Sequence, residues 1–162
     1  MSQLPIVLVV DDEKANLDTF QRVFRKDLRM TLASSGAEAL EVLEREPIQT
    51  IVIDYAMPEM DGLELARRVE ARWPAVRRIM LTAHSDLSEV RRARSNGLVS
   101  TVLIKPWSRD EVLRWITVGG GLSALRETVG TLRASVAAED PGGASSAVST
   151  SLTSSGDRWR RG

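Results

Sequence analysis

The chain has 162 residues, 22 basic and 22 acidic side chains, 43% hydrophobic residues and no cysteine. That length suits one ordinary domain plus a tail, and the balanced charge exerts no general pull toward nucleic acid or an anionic membrane. The lack of cysteine excludes disulfides, thiolate metal sites and a cysteine nucleophile.

The first apolar run, Ile6 to Val10, is followed at once by Asp11 and Asp12. It reads as a buried strand, neither a signal peptide nor a membrane span, and a cytoplasmic protein is the expectation. Leu17, Phe20 and Phe24 then recur at spacings of three and four within Lys14 to Arg25, which predicts a helix. Met30 to Ala33 predicts a short strand. Ser35-Gly36 predicts a turn into a helix that buries Ala39, Leu40 and Leu43.

The stretch Thr50 to Gly62, TIVIDYAMPEMDG, organises the rest. Its β-branched run, Ile51 to Ile53, ends in the single carboxylate of Asp54, as a strand buried on both faces would. A helix over Leu63 to Trp73 follows and is stopped by Pro74. Arg78 to Thr82 predicts a fourth strand, Asp86 to Asn96 a helix closed by Gly97, and Thr101 to Ile104 a fifth strand ending in Lys105-Pro106. Ser108, with Glu111 three residues on, forms a capping-box pattern for a last helix carrying Val112, Leu113 and Ile116.

Five strands alternating with five helices imply an α/β fold, a parallel sheet covered on both faces. Residues 1–118 make one domain on this reading. Residues 119–138 hold a glycine break and an amphipathic seam, Leu122 to Val136, and residues 139–162 a Ser/Gly-rich tail expected to be disordered. The seam leaves three readings open, a dimerising coil, the start of a connector to an output domain, and a segment folded back on the domain. Gly119 to Ala124 fits a dinucleotide-binding spacing, but too little chain follows to build a second α/β unit, so it reads as linker.

Open α/β sheets bind ligands at the carboxyl ends of their strands. Asp11, Asp12, Asp54, Thr82 and Lys105 all fall there. Three carboxylates together repel unless a cation intervenes, and oxygen donors without His or Cys suit a hard ion such as Mg²⁺. A carboxylate, a divalent ion, a lysine and a hydroxyl make a phosphoryl-accepting site. His84, the single histidine, reads as a solvent-facing loop residue. Arg91, Arg92, Arg94, Arg109 and Arg114 read equally as a basic partner surface and as solvated helix faces.

The segments VVDDE (9–13), DYAMPEMDG (54–62), LTAH (81–84) and IKPW (104–107) occur in the order and at the spacing of a two-component response regulator receiver domain, which the chain resembles over roughly residues 4–118. The resemblance implies a flavodoxin-like, doubly wound five-stranded parallel sheet of order 2-1-3-4-5. It implies phosphorylation of Asp54, with Mg²⁺ held by Asp11, Asp12, Asp54 and the Ala56 carbonyl, Asp12 more directly than Asp11. Lys105 would bind the phosphoryl group, and Thr82 would turn toward it.

The implied donor is a sensor histidine kinase or phosphotransfer protein, or a small acyl phosphate. The reader is a downstream protein, with no direct nucleic-acid or membrane partner. Val102 stands where the family usually carries Tyr or Phe, so a smaller or differently routed change at the fourth and fifth helices is expected. Ala56 and His84 border the site at positions where the family tunes hydrolysis. The rival readings are a haloacid-dehalogenase-like phosphatase with Asp54 as nucleophile, disfavoured because Ala56 stands where a second acid is needed, and an interaction module that is not phosphorylated.

Overall fold

The computed structural model describes residues 3–84 and 86–118, which belong to one compact unit. The elements are β1 (Ile6–Val10), α1 (Lys14–Phe24), β2 (Arg29–Ala33), α2 (Gly36–Arg45), β3 (Thr50–Asp54), α3 (Gly62–Arg72), β4 (Arg77–Thr82), α4 (Ser88–Ser95) and β5 (Thr101–Ile104). Residues 109–118 form a fifth helix, α5. The seam, the glycine motif and the tail lie outside the described residues.

All strand pairs are parallel, in the order β2-β1-β3-β4-β5. This is the flavodoxin-like arrangement. Successive side chains of a strand face opposite sides of the sheet, and the two cores follow that alternation. Leu8, Val10, Ile51, Ile53 and Met80 pack with residues of α2, α3 and α4. Val7, Val9, Val52, Ile79, Leu81 and Leu103 pack with Leu17, Phe20 and Phe24 of α1 and Val112 and Ile116 of α5. Burial on both faces is why these strands read as unbroken apolar runs. Each large side chain so buried contributes about 1.5–3 kcal/mol. Trp107 extends the second core, its ring 5.3 Å from Phe20 and 5.6 Å from Phe24.

Side chains start two of the helices cleanly. Ser35 Oγ accepts the Glu38 N–H at 3.1 Å, and Asp61 Oδ1 accepts the Glu64 N–H at 2.8 Å. Before α5, the Glu111 N–H donates to Ser108 Oγ at 3.2 Å, one half of the anticipated capping box. The helix α4 is shorter than its sequence pattern suggests, Ser88–Ser95 in place of Asp86 to Asn96. Leu87, at its N-cap, offers no side-chain acceptor to recruit another turn.

Candidate phosphoryl-accepting site

The sheet topology gathers the anticipated polar residues at one edge. Asp11 follows the last residue of β1, and its N–H is tied to Ala33 O across the sheet at 3.2 Å. Asp54 is the last residue of β3, a central strand buried throughout. Thr82 ends β4, and the Lys105 N–H, just past β5, donates to Thr82 O at 2.8 Å.

Lys105 Nζ lies 2.6 Å from Asp54 Oδ1 and 3.7 Å from Asp11 Oδ2. One carboxylate oxygen each from Asp11, Asp12 and Asp54 lies within 4.8 Å of the others. The residues open into a cleft of roughly 210 Å³, bordered also by Asn16, Tyr55, Ala56 and His84. Asp11 and Asp54 are buried and Asp12 is exposed. Ala56 is thus on the cleft wall, and His84 is an exposed loop residue at its rim. A mostly apolar groove of roughly 370 Å³ adjoins it, walled by Phe20, Val23, Pro106 and Trp107 and sharing Asp11, Asn16 and Lys105.

Burial pushes the Asp54 carboxyl above its ordinary range; the Lys105 hydrogen bond opposes this, and the charges of Asp11 and Asp12 add to it. At Lys105, burial pulls the ammonium down, but the hydrogen bond and charge of Asp54, with Asp11 and Glu13, outweigh it and leave the group raised. A carboxylate held ionised against burial and two like charges calls for more positive charge than one lysine supplies. The donor set, all carboxylate oxygen, fits a hard divalent cation.

The sign of the Asp54 shift fixes a stability prediction. An acid raised in the folded state contributes stability below its unfolded value, lost as pH rises through the folded one, so at neutral pH ionised Asp54 opposes folding. Asp54→Asn, which keeps an acceptor for Lys105, is expected to stabilise the metal-free protein by on the order of 1 kcal/mol. The gain should shrink as pH falls into the carboxylate range. Urea midpoints at several pH values measure it, and a lower midpoint for the variant at neutral pH would refute it.

Thr82 is at the predicted height, but its hydroxyl is engaged locally. It accepts the His84 N–H at 3.1 Å and donates to the His84 carbonyl at 3.2 Å. Two features escaped sequence reasoning. Asn16, whose amide donates to Asp11 Oδ2 at 3.0 Å, is one polar residue among many on α1. Gly62 is the other. A Cβ there would lie 2.5 Å from Asp54 O and 2.9 Å from Tyr55 Cα, so its lack of a side chain lets α3 begin against the end of β3. Gly62 N–H donates to Tyr55 O at 3.0 Å, closing the loop that carries Glu59 at φ 65°.

Residues 7–117 match the family described as the response regulator receiver domain. The chain belongs to that family. The receiver domain is 32% identical over 107 residues to the hydrogenase transcriptional regulatory protein HoxA of Cupriavidus necator, an overlap of 66% of this chain and 22% of that protein. It is 29% identical to sporulation initiation phosphotransferase F of Bacillus subtilis, covering 65% of this chain and 86% of that one. A CheY-like response regulator receiver domain protein from Methanospirillum hungatei shares the fold, with a TM-score of 0.70 at 24% identity over 76% of this chain and 99% of the other. The chain spans about a quarter of the length of the first curated relatives it matches. Receiver domains are signalling modules, and no described helix of this one is long and apolar enough to cross a membrane.

Proposed function

We propose that Asp54 is the phosphoryl acceptor of this receiver domain and that the domain catalyses its own phosphorylation and dephosphorylation. The observation that carries the reading is Lys105 Nζ at 2.6 Å from Asp54 Oδ1, beside three clustered carboxylates. An Asp54 oxygen attacks the phosphorus of a phosphohistidine on a sensor kinase or phosphotransfer protein. The P–N bond breaks, its electron pair stays on the imidazole nitrogen, which takes a proton from solvent, and Asp54 becomes an aspartyl phosphate. Water attack on that phosphorus later releases inorganic phosphate and restores the carboxylate.

Asp11, Asp12, Asp54 and the Ala56 carbonyl would hold Mg²⁺, which when bound neutralises phosphoryl oxygens. Lys105 exchanges its bond to Asp54 for one to a phosphoryl oxygen and orients the group. Thr82 leaves His84 for another phosphoryl oxygen and draws the β4–α4 loop with it. With Val102 half-buried against the α2–α4 core, no aromatic side chain is available there to follow, and the change reaches a downstream protein through α4. The cytoplasm is the compartment consistent with such partners.

Labelling with a radioactive acyl phosphate, with and without Mg²⁺, tests the assignment. The parent should take up one phosphate per chain only with Mg²⁺, and Asp54→Asn should take up none. Label retained in the variant, or no uptake by the parent, would overturn it.

A further inference from the structure

Asn16 sits half-buried in the first turn of α1. Its amide donates to Asp11 Oδ2 at 3.0 Å, while Asp11 Oδ1 accepts the Glu13 N–H at 2.9 Å. The two bonds fix the plane and direction of a carboxylate that is 4% exposed. Lys105 approaches the same Oδ2 but stays 3.7 Å away, beyond hydrogen-bonding distance, and makes its short bond to Asp54. An ammonium between two carboxylates settles on the one with more acceptor positions open.

We propose that Asn16 is a positioning residue that keeps Lys105 on Asp54: by taking one acceptor position of Asp11 Oδ2 it weakens that oxygen's pull on the ammonium and leaves the Asp11 charge available to a divalent cation. The inference rests on the phosphoryl-acceptor reading of this site. Asn16 is suited to the task because it donates a hydrogen bond without adding charge. Once the amide is gone, Asp11 Oδ2 has a further acceptor position open and competes with Asp54 for the ammonium. Lys105 then moves toward Asp11, away from the oxygen that a phosphoryl group would use. It partly neutralises Asp11 and repels a cation held beside it. Leucine at position 16 fills similar space and favours the helix more than asparagine does, so an effect on the site is separable from damage to α1.

The test is calorimetric titration of the full chain with Mg²⁺, comparing parent and Asn16→Leu, and repeating the pair in a Lys105→Ala background. With the lysine present, Asn16→Leu should weaken Mg²⁺ binding about tenfold, the scale of lost support around a metal ligand. In the Lys105→Ala background the loss should fall to less than about twofold, because no ammonium remains to be misdirected. Circular dichroism checks folding, and Asn16→Ala serves if the leucine is not accommodated. An equal loss in both backgrounds would make Asn16 a packing residue and overturn the proposal, as would no loss in the first. A parent that binds no Mg²⁺ overturns this inference together with the phosphoryl-acceptor reading.

Discussion

Gly62→Ala is expected to destabilise the domain by about 2–4 kcal/mol and to slow Mg²⁺-dependent labelling of Asp54 at least about tenfold. The new Cβ would meet the Asp54 carbonyl at 2.5 Å and Tyr55 Cα at 2.9 Å. Both are backbone atoms at the end of a central strand, which cannot give way as a flexible side chain would. Either α3 shifts outward or the Asp54 peptide rotates, and the second outcome turns the acceptor carboxylate away from Lys105. The sign is informative. In an open helix, alanine is favoured over glycine by about 1 kcal/mol, so a variant more stable than the parent would disprove the close approach. Urea unfolding and a labelling time course measure the two effects separately.

Arg78→Ala should be as damaging to stability while acting at the opposite end of the sheet. Arg78 is 8% exposed. Its Nε donates to Leu98 O at 2.6 Å, and Nη1 donates to Val76 O at 2.9 Å and Pro74 O at 3.4 Å. Glu70 lies 3.7 Å from Nη2. Burial pulls the guanidinium down from its usual range, with Glu70 opposing, yet it stays a cation. The side chain thus ties the loop entering β4 to the one entering β5. Truncation removes donors from buried carbonyls, and a loss of about 3 kcal/mol or more is expected. Arg78→Met separates packing from hydrogen bonding by keeping the aliphatic bulk without the fork of donors. It should recover little of the loss, and near-complete recovery in thermal unfolding would show that packing alone was at stake. The phosphorylation rate of the folded fraction should be unchanged.

How much of this was legible beforehand depended on whether the signal was periodic and local. The runs ending in Asp11, Asp54, Thr82 and Lys105 announced both the sheet and its polar edge, because strands buried on two faces have no room for polar residues until they end. Arg78 broke that pattern. An arginine in a fully buried strand would count against the strand, and it is made tolerable by two carbonyls of the loop just before it and one from the distant loop entering β5. Asn16 and Gly62 were opaque for a related reason. Their importance lies in one oxygen of Asp11 and one carbonyl of Asp54, contacts fixed by tertiary approach and absent from any spacing rule. Thr82 was found at the right height, but its engagement with His84 depends on a hydroxyl rotation that residue identity leaves open.

The attachment of α4 sets how much force the proposed switch must deliver. Its eight residues bury only Val90 and Ala93, whereas α3 buries five residues, and its first turn lacks a side-chain cap. Detaching so small an apolar footprint costs about 2–3 kcal/mol. One or two charge-assisted hydrogen bonds, at about 1.5–3 kcal/mol each, can supply that amount. The proposed acceptor thus sits on a stiff anvil, and α4, which follows the loop carrying His84, is sprung lightly enough for a single covalent event to tip the balance, while hydrolysis lets it return.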